Sequence, residues 1–277
     1  MKKILVPTDF SECAAKAVSA ALKLAATTEF QIHFLHVADI PIDWQRLTDN
    51  EKLYPEVAKK VKKYHSLLDQ LVDTTKRQGI SAHKYLVFNK NYQAILEHLD
   101  QYKIDLVVMG SRGASGLKEW LVGSNTQKIV RFSPVPVLVI KEDMQEFKID
   151  HMVFVSDFDE EVMDQFKVYI EFIQQLNAKL SLLFINTPEN FTDTITTKIR
   201  MGNYALHAPG TIDNTYIFNH YDFMQGLDAF CQEHQIDAIG MITHGNSSGM
   251  HLFNNSLTEK VVNHVKLPVL TMHFSNQ

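Results

Sequence analysis

The chain repeats itself once. Met152–Phe158 (MVFVSDF) restates Ile4–Phe10 (ILVPTDF), and Lys179–Ile185 restates Gln31–Val37 at the same offset of 148 residues. Ile236-Asp237 and Pro268-Val269-Leu270 restate Ile104-Asp105 and Pro136-Val137-Leu138, now at an offset of 132. Two copies are too few for a solenoid, and each is long enough to be a domain. The change of offset means that the second copy lacks about 16 residues between its second and fourth strands.

Within a copy, strand and helix patterns alternate. Lys3–Val6 is apolar at its centre, as buried parallel strands are. Ala14, Ala17, Val18, Ala21, Leu22 and Ala25 then share one helical face. Phe30–Val37 is a second strand. A long helix over 51–78 carries Val57, Val61, Tyr64, Leu68, Leu71 and Thr75 inward and stops at Gly79. Strand 84–88, helix 94–102, strand 104–109 and strand 135–140 complete the copy. Such alternation predicts an α/β fold: two tandem open parallel-sheet domains, residues 1–141 and 150–277, joined by the charged stretch 142–150. Five strands are expected in each domain, in two separate sheets. The last strands, 135–140 and 267–272, carry Pro136 and Pro268, which suits a sheet edge rather than a centre.

One loop stands out chemically. The apolar run 104–109 leads into GSRGASGLKEWLVGS (110–124), and Ser124-Asn125-Thr126-Gln127 reads as a capping box opening a helix. Gly110, Gly113, Gly123 and Ser124 fall in the spacing Gly-x2-Gly-x9-Gly-Ser. Glycines let a backbone approach a phosphate and adopt positive φ, and a helix start offers unpaired N–H groups. No lysine follows as a Walker loop requires, and the first strand ends in Pro7-Thr8-Asp9 instead of a dinucleotide fingerprint.

The spacing Gly-x2-Gly-x9-Gly-(Ser/Thr) resembles the nucleotide-binding signature of the universal stress protein family, and the chain as a whole looks like a tandem member of the UspA type. The resemblance implies a Rossmann-like fold, related to the adenine-nucleotide alpha hydrolases, and an adenine nucleotide, ATP, ADP or AMP, as ligand. It places Pro7, Thr8 and Asp9 beside the adenosine and the backbone of Val37 at the adenine edge. Met109, Gly110, Arg112 and Gly113 would border the ribose and phosphates, and Gly123, Ser124, Asn125 and Thr126 would bind the phosphate chain. Asp9 could hold Mg2+. In one-domain relatives the final strand commonly pairs with that of a second subunit, so the two halves are expected to pair as an intramolecular pseudo-dimer. A further homodimer stays open.

Carrying the signature forward by 132 gives Ile242, Gly245, Asn255 and Ser256, so two of its three glycines are gone. Ser256 and Glu259 keep the capping-box pattern, and Asp157 stands where Asp9 stood, as a helix cap. The second copy is therefore expected to bind no nucleotide. Residues 203–213 (NYALHAPGTID) could line a pocket over it. His33 and His36 lie three apart on a strand and face opposite ways, and His244, His251 and His264 have no ligand spacing.

Composition bounds the rest. The 277 residues, 45% hydrophobic, suffice for two domains with a core each. A net charge of -5 argues against nucleic acid as a partner. Cys13 and Cys231 form no paired motif and read as core thiols of a reducing compartment. No stretch is long enough to span a membrane, and Ile4-Leu5-Val6 is too short for a signal peptide, so a cytoplasmic protein is expected. Three functions remain. One is a nucleotide-binding regulator of stress adaptation read by an unknown protein partner. The others are a slow ATP hydrolase or phosphoryl-transfer enzyme, and a nucleotide-free interaction module. With one arginine visible and no acid–base pair, at most weak ATPase activity is expected.

Overall fold

A computed structural model describes residues 2–40, 44, 50–88, 91–112, 122–176, 178–244 and 255–274. In the first half, β1 (Lys2–Pro7) leads through α1 (Glu12–Thr27) to β2 (Phe30–Ala38). The short α2 (Asn50–Leu53) and long α3 (Pro55–Arg77) follow, then β3 (Ala82–Phe88), α4 (Tyr92–Tyr102), β4 (Leu106–Gly110), α5 (Ser124–Phe132) and β5 (Val137–Ile140). The second half runs β6 (His151–Val155), α6 (Met163–Leu176), β7 (Lys179–Asn186), α7 (Thr194–Leu206) and β8 (Ile212–Asn219). It closes with α8 (Phe223–Glu233), β9 (Ala238–His244), α9 (Asn255–His264) and β10 (Val269–Phe274). The helix between second and third strands has 23 residues in the first half and 13 in the second, and this is where the offset changes.

The repeat read from the sequence is realised as strand register. Ile4 pairs with Leu106 and Met152 with Ala238, while Val107 pairs with Val137 and Ile239 with Val269. Both offsets, 148 and 132 residues, are thus kept inside the ladders. Strands are parallel within each half, and the full order is β3-β2-β1-β4-β5-β10-β9-β6-β7-β8. At the centre β5 and β10 run antiparallel, with Val139 opposite Val269 and Val137 opposite Thr271.

Two separate sheets were expected, and that expectation fails: there is one ten-stranded sheet. The expected pairing of the final strands is observed, and it is the cause. An edge strand that finds another edge satisfies both ladders and joins the sheets. Pro136 and Pro268 sit just ahead of β5 and β10, where a missing N–H costs nothing. Their carbonyls accept from Val107 and Ile239, each at 2.9 Å.

The cores are likewise organised by face, not by half. One holds Val18, Leu68, Phe154, Phe166 and Tyr204, on the side of α1, α3, α6 and α7. The other holds Leu99, Val130, Phe230 and Val261, under α4, α5, α8 and α9. Both run through the seam, the first by Leu138 and Leu270, the second by Val137 and Val269. The halves trade volume to keep one shape. Tyr169 lies over Gly240, where an added Cβ would come within 1.7 Å of its hydroxyl. The corresponding first-half residues, Ala21 and Val108, share the work the other way, a small residue on the helix and a larger one on the strand.

Candidate functional site

The carboxyl end of β1 makes a tight turn. Thr8 N–H donates to the Leu35 carbonyl at 2.9 Å, and the Thr8 hydroxyl oxygen accepts from Phe10 N–H at 3.1 Å. Asp9 Oδ1 accepts from the Ser11 N–H at 3.1 Å and its hydroxyl at 2.6 Å. Ser11 then caps α1 by accepting from Ala14 N–H. Phe10 adopts φ 63°, a left-handed backbone unusual for a bulky residue, and Phe158 repeats it at 57°. The turn is therefore built twice, and Asp9 serves it directly.

Beyond Pro7, β2 continues without β1 beside it. The last register pair is Pro7–Leu35. Because Leu35 gives its carbonyl to Thr8, alternation along the strand turns the backbone of Val37 the same way, past the point where β1 has left. The β1 side of the Val37 peptide therefore lies beyond the last β1–β2 pair. Neighbouring His36 points to the other face, against Phe10 at 4.7 Å and Tyr64 at 4.3 Å between ring centres. Its Nδ1 lies 2.7 Å from the Thr8 carbonyl and so carries the proton, leaving Nε2 buried without a partner among the described residues. Burial pushes His36 below its ordinary pKa, against the pull of the Thr8 carbonyl and Asp9.

The glycine loop leaves β4 at the adjacent strand end. Met109 and Gly110 are buried, and residues 113–121, Gly113 among them, lie outside the described residues. Gly110 has a packing role the sequence did not disclose: a Cβ there would lie 2.8 Å from Cys13 Sγ and 3.0 Å from the Cys13 carbonyl carbon. Neither Gly110 nor Gly123 has positive φ, and Gly123 sits at φ -57°, ψ 143°. The expected use of these two glycines for left-handed backbone is thus corrected.

The loop returns through three pins. Val122 N–H donates to Asn263 Oδ1 at 3.2 Å, Gly123 N–H to the Ser111 carbonyl at 2.9 Å, and the buried Thr126 hydroxyl to the Gly110 carbonyl at 3.0 Å. Gly123 is the N-cap of α5 and brings no side chain to the task, so the expected Ser124–Gln127 capping box does not form. Ser124 and Asn125 stand exposed at the helix start, whose first N–H groups have no partner within the helix. Arg112 is turned aside into an ion pair with Glu142 at 2.9 Å.

Behind the loop the halves meet around a small cavity of about 40 Å³, bordered by Ser111, Arg112, Lys141 and Asn263. Lys141 is buried and donates to the Val262 carbonyl in the last turn of α9. Burial lowers its pKa to about 8, with Cys13 opposing and Arg112 adding to the shift. Reasoning from sequence did not find Lys141, Glu142 or Asn263, which belong to no motif, and weighed His36 only as a metal ligand.

The second half differs at the same place. Ile242 is buried where Gly110 stood, and α6 begins only at Met163, after a short 3-10 turn. Tyr204, from the segment expected to line a pocket, is instead fully buried in the core with Phe154 and Phe166. It packs edge-on against Phe158 at 5.1 Å, and its hydroxyl donates to the Asp159 carbonyl. Ser156 repeats the role of Thr8 by accepting from Phe158 N–H at 3.0 Å. Asp157, expected as a helix cap, accepts from Asp159 N–H at 3.5 Å, and the following turn at 160–162 is capped by Asp159. Gly245 lies outside the described residues, and α9 starts at Asn255, which puts Ser256 inside the first turn.

An open sheet, parallel within each half, with a turn, a strand that outruns its neighbour and a helix start at adjoining strand ends is the arrangement the sequence pattern also describes. The universal stress protein family pattern matches residues 1–141. The chain belongs to the universal stress protein family.

Universal stress protein YxiE of Bacillus subtilis is 32% identical over 145 residues, covering 50% of this chain and 98% of its own length. Universal stress protein Slr1230 of Synechocystis is 25% identical over 297 residues, 98% of this chain and 99% of its own. The double-length organisation therefore recurs in the family. The crystal structure of a universal stress protein from Archaeoglobus fulgidus superposes with a TM-score of 0.74 at 22% identity, covering 98% of both chains. It establishes the fold across the full length. Among the described residues no helix is long and apolar enough to cross a membrane.

Proposed function

We propose that this universal stress protein is a cytoplasmic regulator of stress adaptation that binds one adenine nucleotide, ATP, ADP or AMP, in its first domain. In this reading the domains are residues 1–141 and 150–277, and a protein partner senses the occupied state. The carrying observation is that three ligand-ready features share one end of the sheet: the 7–9 turn, the Val37 peptide freed by the end of β1, and a helix start capped by Gly123 alone. Ligands of open α/β sheets bind at the carboxyl ends of the strands. A helix start without a side-chain cap leaves its N–H groups to a phosphate.

The residues divide accordingly. Val37 and the Pro7–Asp9 turn would flank the adenosine, Met109 to Gly113 the ribose and phosphates, and Ser124 and Asn125 the phosphate chain. Thr126 and Gly110 shape the loop from beneath, given their mutual hydrogen bond. A magnesium ion would be carried by the phosphates and water. Asp9 already holds Ser11, so we assign it to the turn before any metal. The pairing of Arg112 with Glu142 engages the arginine of the described part of the loop away from a leaving group, which favours binding over turnover.

The test is mass analysis of small molecules released when the purified chain is denatured, together with calorimetric titration by ATP, ADP and AMP. One site per chain is expected. Absence of released nucleotide, of binding and of any thermal shift would overturn the proposal.

A further inference from the structure

The half that lost its glycines still reaches the loop of the half that kept them. Val122 lies directly before Gly123, the cap of α5, and is itself buried. Its N–H is directed at Asn263 Oδ1, 3.2 Å away on the last turn of α9 and 141 residues along the chain. A second tie runs the opposite way a few residues off, from Lys141 of the first half to the Val262 carbonyl. Contacts between α5 and α9 hold the two helices side by side.

We infer that Asn263 is a positioning residue for the first half's nucleotide loop: it fixes the peptide that aims the α5 N-terminus. The inference rests on the nucleotide reading proposed above and adds that the second half completes the site.

The chemistry of the contact is specific. A backbone N–H needs an acceptor, and the Asn263 amide oxygen is one, whereas its own N–H2 group is not. The position equivalent to Asn263 in the first half, 132 residues earlier, is Arg131, which has donors only. The acceptor is therefore present on the side that faces the intact loop and absent on the side that would face the degenerate one. Two identical domains could not show this asymmetry.

The geometry explains why such a pin matters. Gly123 contributes no side chain, so the direction of the first turn of α5 depends on what holds its neighbours. The Ser111 carbonyl holds Gly123 from within the first half, and Asn263 holds Val122 from the second. Releasing Val122 leaves the start of α5 to the Gly123–Ser111 and Thr126–Gly110 bonds, both made within the first half.

The experiment uses the full chain with Asn263→Leu, which removes the acceptor at similar size, and Asn263→Asp, which keeps it. Hydrogen exchange at the Val122 amide and calorimetric ATP affinity are read on each, with unfolding stability measured without nucleotide. Asn263→Leu should speed Val122 exchange and weaken ATP roughly three- to tenfold, the effect of one lost hydrogen bond. Asn263→Asp should retain the protection, which a merely space-filling role for this side chain does not predict. Unchanged affinity in Asn263→Leu beside a binding wild type overturns the inference and leaves the nucleotide proposal standing. No binding in the wild type overturns both.

Discussion

Leu138 on β5 stands directly opposite Leu270 on β10, and the two are the same residue of the repeat, 132 positions apart. An antiparallel pair in which each residue meets its own equivalent has a twofold axis through that pair. The chain has thus enclosed an isologous interface of the kind that joins symmetric homodimers. Both leucines are fully buried, in a core that extends into each half.

From this follows cooperative unfolding. Leu138→Ala should cost about 2–5 kcal/mol, as truncation of a buried leucine does. Because the cores are divided by face and not by half, the loss should appear as one shifted transition in urea, read by circular dichroism. Two separated transitions, with only one displaced by the substitution, would contradict a shared core.

Gly110 separates the structural from the ligand-facing share of the glycine loop. Its missing Cβ makes room for Cys13, with Sγ 2.8 Å and the carbonyl oxygen 3.1 Å from where that Cβ would be. Gly110→Ala should destabilise the chain by about 1–3 kcal/mol without any nucleotide present, through overpacking. Adding Cys13→Ala should recover only part of the loss, because two of the three close atoms belong to the Cys13 backbone. Thermal unfolding of the three variants decides it. An unaltered Gly110→Ala would return this glycine to a purely ligand-facing role.

A buried histidine pair should contribute to the acid limb of stability. His33 Nδ1 lies 3.2 Å from His98 Nε2, and both rings are buried among Gln31, His83, Tyr85 and Tyr102. Burial, then the charges of His98, His83 and Lys3, lower His33 to about 4, and burial lowers His98 to about 4. The folded pKa lies below the unfolded value of 6.5 for each, so the unfolded chain binds protons first as pH falls. Stability is complete above 6.5 and should decline progressively down to about 4, by up to roughly 3 kcal/mol for either ring. Urea midpoints of wild type and His98→Gln at pH 7 and pH 5 are the check, and the variant should lose less over that interval. Equal losses would show that other groups govern the acid limb.

The sequence made some of this architecture readable and left other parts closed to it. Offsets of 148 and 132 became strand registers because a ladder fixes residue spacing along every strand. Pro136 and Pro268 suggest sheet edges, but each lies just before its strand, so β5 and β10 can pair at the sheet's centre. The capping box failed because α5 begins one residue earlier than the pattern suggests, which makes Gly123 and not Ser124 the N-cap. Arg112 was placed beside the ribose and phosphates because nothing near it reveals Glu142, thirty residues on. Tyr204 and Asn263 act through partners 45 and 141 residues away, and no local pattern carries such distances. Their effects come from packing, which periodicity does not encode.

Binding should be asymmetric, with one nucleotide per chain held by the first half. Gly123 has φ -57° and ψ 143°, a backbone open to any residue, so Gly123→Leu should fold with near-normal stability, unlike Gly110→Ala. A leucine side chain at the cap would stand over the first turn of α5 and take the approach a phosphate needs. Loss of those charge-assisted contacts should weaken nucleotide by roughly tenfold or more. Asn255→Leu, at the equivalent place in the second half, should change nothing, since Ile242 and Asn255 stand there in place of two of the signature glycines. Calorimetric titration of wild type and both variants makes the comparison, with unfolding curves recorded in the absence of ligand. Two equal sites in the wild type, or affinity lost only in Asn255→Leu, would reverse the assignment. A Gly123→Leu chain that is itself destabilised would shift the loss of binding onto the fold, and the exposed Ser124 and Asn125 would then be the residues to replace.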